Sequence, residues 1–139
     1  MNDIKIAKNR LKEKKFSLVI VKNGKIIYET RDHGLKSLIR AIERFKEKMK
    51  GVSVADKTVG RPVALLCLYA DIAAIYAITI SEEAIKLLKK ADIICEYEKS
   101  IPIILNRKKN DICPFEKYVI GLENPKEAFK KLKFFALSL

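Results

Sequence analysis

The sequence contains no tryptophan, no glutamine, one histidine, three cysteines and four prolines. Each scarcity excludes something. Cys67, Cys95 and Cys113 are far apart, odd in number and without a Cys-x-x-Cys pair, which argues against a disulfide framework and against a structural zinc site. Free thiols fit a cytoplasmic protein. No apolar leader is visible, because the start, Met-Asn-Asp-Ile-Lys, is charged throughout. Residues 62–80 are apolar almost throughout, but Asp71 lies near the middle, where a carboxylate is costly in lipid. This stretch reads as two buried elements rather than a membrane span.

Acidic residues are also scarce. Asp plus Glu number 17 against 29 for Lys plus Arg, a net charge of +12. Such an excess favours anionic partners: nucleic acid, nucleotides or a membrane surface. The lysines are spread over most segments and no nucleic-acid-reading motif accompanies them, which weighs against a nucleic-acid module. Abundant Lys, Ile and Glu without Gln is equally the composition of many heat-adapted proteins.

What is present suits one domain spanning residues 1–139, long enough to bury a proper core. Asp3 to Lys14 reads as a short basic helix at the surface, with Ile4, Ala7 and Leu11 as a narrow apolar stripe. Phe16–Val21 and Lys25–Thr30 form a hairpin, since Asn23-Gly24 supplies the two φ > 0 residues of a type I′ turn. Gly34 to Met49 is an amphipathic helix stopped by Gly51. Val52 to Asp56 reads as a buried strand, Asp56 to Gly60 as a tight polar turn, and Gly60 to Ala70 as a helix apolar nearly all round. Ile72 to Ile80 is an unalternating apolar run, typical of a central parallel strand. Ser81 caps the next helix, with Glu82 and Glu83 at its positive end. Ile93 to Tyr97 is a further strand. Pro102 confines the extended segment from Ile101 to Leu105 to an edge. Asn106 to Asp111 is a basic loop, Cys113-Pro114 opens a short helix, and Asn124-Pro125-x-Glu127 opens the last.

Helices between strands imply parallel neighbours with right-handed crossovers. The order of elements therefore gives an α/β, three-layer sandwich around a mixed sheet of about five strands. The leading hairpin adds one antiparallel strand at one edge.

Several short motifs recur in order: Asn23-Gly24, Asp56-Lys57-x-x-Gly60, Ala64-Leu65-Leu66, Ser81-Glu82-x-Ala84, Asn106-Arg107 and Cys113-Pro114-x-Glu116. Together, from about residue 14 to residue 127, they make the chain similar to the cytidine-deaminase-like fold. More closely, it resembles an uncharacterised prokaryotic family of that fold that lacks the zinc motif. Deaminases hold zinc with a His-x-Glu motif opening one helix and Pro-Cys-x-x-Cys opening the next. Here the first position reads His33-Gly34-Leu35, without the Glu. The second reads Asp56-Lys57-Thr58-Val59-Gly60, without either Cys. The resemblance therefore implies the fold without its zinc chemistry, and no metal or cofactor is expected. It also implies self-association, with a homodimer the reasonable state.

Ligands in open α/β sheets sit outside the carboxyl ends of the strands. That places Asp56 and Lys57 at the floor of any site. In one reading Lys57 and the free amides at the start of the Gly60 helix bind an anion while Asp56 orients a hydroxyl or base edge. In the other, an ion pair or turn hydrogen bonds merely fix the strand end. Cys113, at a helix start, is either a nucleophile with Glu116 as base or a cap position with Glu116 closing a capping-box-like turn. Ser81 is a cap that would point toward the same crevice. Asn106 and Arg107 reach a phosphate or stay solvated, and His33 alone holds no zinc. The expected function is binding of a small anionic, nucleotide-like ligand by Asp56, Lys57, Gly60, Ser81, Asn106 and Arg107. The alternatives are a metal-independent enzyme using Cys113 or the Asp56/Lys57 pair, and a basic nucleic-acid-binding module.

Overall fold

The computed structural model describes residues 2–32, 34–106 and 108–138. Five strands form one sheet in the order β2-β1-β3-β4-β5: β1 (Leu18–Lys22), β2 (Lys25–Thr30), β3 (Ser53–Val59), β4 (Ala74–Ser81) and β5 (Ile94–Ile101). β3, β4 and β5 are mutually parallel, and β1 pairs antiparallel with both β2 and β3. The one reversed strand is thus β1, one position in from the edge, rather than at the edge itself. The β1–β2 turn has Asn23 at φ 50° and Gly24 at φ 79°, the left-handed pair that a type I′ turn demands.

Helix α1 (Asp3–Lys14) covers one face of the sheet. Its stripe of Ile4, Ala7 and Leu11 is buried against Val19, Val21, Ala55 and Tyr76. A helix expected to lie at the surface is therefore a structural layer. Its three small or branched apolar residues suffice because the sheet face they meet is itself apolar. Asp3 ties the layer to the hairpin, accepting from the amides of Asn23 at 3.0 Å and Gly24 at 2.9 Å.

The other face carries α2 (Gly34–Phe45), α3 (Arg61–Ala70) and α4 (Glu82–Lys90), and α6 (Pro125–Leu137) packs over α3. This double cover explains why α3 is apolar all round: Pro62 to Cys67 are all buried, and Tyr69 stacks on Phe129 of α6 at 4.3 Å. A 3₁₀ turn at Lys46–Met49 ends the second helical segment, where one continuous helix to Met49 was expected. Asp71, in the left-handed conformation at φ 56°, closes α3 and separates it from β4. The apolar run of residues 62–80 is thus α3 followed by β4. Among the described residues no helix is long and apolar enough to cross a membrane.

Two boundaries differ from expectation. β3 runs on through Asp56, Lys57 and Thr58 to Val59, so no tight turn exists there. Its polar residues are strand residues, paired in register with β4 as far as Val59 opposite Ile80. β5 continues to Ile101 and stops immediately before Pro102, which cannot donate to a ladder. Beyond β5, Leu105 bridges Ile112, and the short helix α5 (Pro114–Tyr118) completes a strap that returns across the amino end of α3.

Candidate functional site

The carboxyl end of β3, the first turn of α2 and the strap enclose an open cleft of about 1120 Å³. β3 alternates, so Asp56 falls on the same face as the core residues Val52 and Val54 and is only 3% exposed. Lys57 falls on the opposite side, exposed, with its amide donating to the Ser17 carbonyl at 3.2 Å. Both line the cleft. No ion pair joins them.

Asp56 is buried and under-bonded. Oδ1 accepts from the Thr58 amide at 3.3 Å, while Oδ2 is buried with no hydrogen-bond partner among the described residues. Burial pushes this carboxyl up to about 7, against the opposing pull of the Thr58 and Lys57 amides. Gly34 opens α2 directly against it: a Cβ there would stand 3.0 Å from Oδ1 and 3.2 Å from Oδ2. One turn along α2, Ser37 is completely buried and its hydroxyl likewise has no partner. Ser37 also lines the cleft.

Glu116 is a second buried carboxyl on the cleft wall, 4% exposed. Its Oε1 accepts from the Arg61 amide at 2.9 Å and so caps α3 from the strap. Burial pushes it up to about 7, again against the hydrogen bond it receives. Neither expected role for Glu116 describes this contact. It does not close a turn with Cys113, whose amide goes to the Ile104 carbonyl at 3.0 Å. The place at the α3 amino terminus where a ligand anion was expected is taken by the protein's own carboxylate. The Arg61 guanidinium turns away to the Leu122 carbonyl at 3.1 Å and to Glu83 at 3.2 Å, pinning the far end of the strap.

The remaining candidates divide. Gly60 lines the cleft as the residue before α3. Cys113 is half-buried in the wall as the N-cap of α5, and its side chain makes no cap bond. Asn106 lines the cleft, but its side chain is spent on its own turn, donating to Asn110 Oδ1 at 2.9 Å and accepting from the Asn110 amide at 3.2 Å. Ser81 is a correction. Its hydroxyl accepts from the Ala84 amide at 3.2 Å, it is buried, and it does not line the cleft, because α4 starts directly on it and turns the oxygen into the helix. His33 and Arg107 lie outside the described residues. Sequence reasoning missed Ser37, Lys36 and Arg40 on α2 and Arg31 before it. The available signal for Ser37 was its place between Gly34 and Ala41 on the buried side of an amphipathic helix.

A zinc ion is what a deaminase would hold at this end of the sheet, and the described residues do not fit one. α3 opens with Gly60, Arg61, Pro62 and Val63, none of them a thiol, and Glu116 fills the space before its first amide. Among the described residues no three Cys, His, Asp or Glu side chains come together as a metal site.

Comparison with known proteins accords with this architecture. The crystal structure of a DUF1893 family protein (TM1506) from Thermotoga maritima superposes with a TM-score of 0.86 at 30% identity, over 96% of this chain and 89% of that one. The dCMP deaminase of the cyanophage S-TIM5 is similar at a TM-score of 0.50 and 14% identity, over 68% of this chain and 93% of that one. RibD of Acinetobacter baumannii gives 0.50 and 15%, over 69% of this chain and 35% of that one. At such identities the last two show the fold alone, and the fold is deaminase-like. No curated protein matches the sequence. Residues 6–135 match the model of the TM1506 family, a domain of unknown function (DUF1893), and the chain belongs to that family.

Proposed function

We propose that this protein is a zinc-free member of the deaminase-like fold that binds a small anionic, nucleotide-like ligand in the cleft beside Asp56 and Lys57. One observation carries the reading. Two buried side-chain oxygens among the described residues lack a partner, Ser37 Oγ and Asp56 Oδ2, and the two residues that carry them both line the same cleft. Buried polar groups are nearly always paired, so two orphans on the lining of one concavity support a ligand that brings polar atoms to them. Lys57, Lys36, Arg31 and Arg40 on the rim attract an anionic group. Leu35, Val63, Ile104 and Phe115 supply apolar walls for a ring. The fold neighbour named as a dCMP deaminase acts on a nucleotide. Only that ligand class is carried over, and the hydrolytic reaction is not, because the α3 opening has neither thiol.

A dispersed positive charge with a buried acidic floor favours a small molecule over a nucleic-acid strand, which needs a continuous basic track. The test is a thermal-shift panel of nucleoside mono- and diphosphates. A binder at about 100 times its Kd adds about 2.7 kcal/mol of stability. The shift should shrink in Lys57→Ala. A flat panel, or stoichiometric zinc in the purified protein, would overturn the proposal.

A further inference from the structure

The cleft is divided by charge in a way that the net charge of +12 conceals. Its cations stand at the rim: Arg31, Arg40 and Lys57 are exposed and Lys36 is half-buried. Arg31 is further committed, lying over the Phe16 ring and donating to the Lys14 carbonyl at 2.8 Å. Its floor and inner wall carry two buried carboxyls, Asp56 and Glu116. Among the described residues no ion pair reaches either one. Glu116 is at least bonded to the amide of Arg61. Among the described residues Asp56 Oδ2 accepts nothing, and the hydroxyl of Ser37, on the lining of the same cleft, is likewise unpaired.

A phosphate or carboxylate against Asp56 would set a second acid beside a buried one, and like charges in a low-dielectric site repel strongly. Once Asp56 is ionised, a neutral hydroxyl would fill one hydrogen bond and leave the buried charge uncompensated. A cationic nitrogen does both: it donates to the vacant oxygen and neutralises the buried acid.

We infer that the floor of the cleft is a head-group subsite for a cationic nitrogen, an ammonium, amidinium or guanidinium, which donates to Asp56 Oδ2 and to Ser37 Oγ. An anionic ligand then enters with its acidic end outward, against Lys57, Lys36 and Arg40, and the ligand class is zwitterionic. This rests on the reading that the cleft is a ligand site, and it adds polarity and orientation. Glu116 lines the same cleft, with Oε1 already bonded to the Arg61 amide.

The test uses two probes of one shape, benzamidine and benzamide, titrated into the intact protein at pH 8 and followed by amide chemical shifts. Benzamidine is expected to bind at least about tenfold more tightly than benzamide, the equivalent of one charge-assisted contact. Asp56→Asn, which keeps the shape and removes the charge, is expected to abolish that preference, with a thermal melt confirming that the variant is folded. Ser37→Ala, which removes a single oxygen, is expected to weaken benzamidine about threefold and leave benzamide unchanged. Equal binding of the two probes, no saturable binding of either, or a preference that survives Asp56→Asn overturns the inference. The two readings fail separately. Nucleotides that bind without any amidine preference sink the head-group subsite alone. An Asp56-dependent amidine site that no nucleotide occupies sinks the nucleotide-like ligand alone.

Discussion

Glu116 and Gly60 form one unit although 56 positions separate them. The Glu116 carboxylate occupies the space that a side chain on Gly60 would fill, and a Cβ there would also come within 2.9 Å of Ile104 Cγ1. Gly60 has φ −108° and ψ −170°, extended backbone open to any residue, so its smallness and not its flexibility is what matters. Gly60→Ala is therefore expected to push Glu116 off the Arg61 amide and to destabilise the protein by about 1–3 kcal/mol. Urea denaturation of Gly60→Ala, Glu116→Ala and the double variant checks this. The double variant should lose clearly less than the sum of the singles, and strict additivity would show that the two residues are not coupled.

Asp56 gives the protein a distinctive pH dependence. Its folded value of about 7 stands above the ordinary 3.8, so the folded state holds a proton that the unfolded chain has lost. Below about pH 4 both states are protonated and nothing is lost. Between there and pH 7 stability falls, and above pH 7 it levels. Glu116 adds a loss of the same sign from its ordinary 4.5 upward. The carboxylates of Glu29 and Asp111 lie below their ordinary values and contribute the opposite slope at lower pH. Comparison with Asp56→Asn isolates the aspartate. The variant is expected to match the native protein near pH 4 and to exceed it by about 1–4 kcal/mol at pH 8. A constant difference across that range would refute the assignment.

Ser37 makes a contrasting case. Its hydroxyl is buried and bonded to nothing among the described residues, so Ser37→Ala removes a desolvated polar atom and no hydrogen bond. In the free protein the change is expected to be neutral or stabilising by up to about 1 kcal/mol. Calorimetric melting decides the point. A loss above that size would mean that the hydroxyl is bonded.

At the opposite end of the sheet, Asp3 receives both turn amides of the first hairpin. Asp3→Ala is expected to cost about 1–2 kcal/mol through two charge-assisted bonds. Hydrogen exchange at Asn23 and Gly24 should speed up in that variant, and unchanged exchange would show that α1 does not hold the turn.

Much of this architecture is legible in the amino-acid order because the signals are local. Asn23-Gly24 demands a specific turn, the apolar run of β4 demands burial on both faces, and Asn124-Pro125-x-Glu127 is a cap with a proline in the first helical position. Asp56 was legible as a charge closing an apolar strand. The end of that strand was not, because Asp, Lys and Thr running up to a Gly read as a turn, whereas pairing with β4 keeps them in the ladder as far as Val59. Ser37 was hidden because a serine between lysine and leucine reads as solvent-facing until Ala41 places it on the inner side. Glu116 was hidden for a different reason. Its partner is a backbone amide 55 residues earlier, and no local pattern encodes such a pairing. Nothing short-range told apart Ser81, whose oxygen turns into its own helix, from a residue facing the crevice.

The strap has a consequence for how the chain is made. Helix α3 is complete by Ala70, yet the group that satisfies its first amide comes from residue 116. During synthesis, at about 5–20 residues per second, the helix therefore waits several seconds with its amino end open. For that interval the first amide of the helix has no protein partner. The wall of the cleft is among the last parts of the molecule to form.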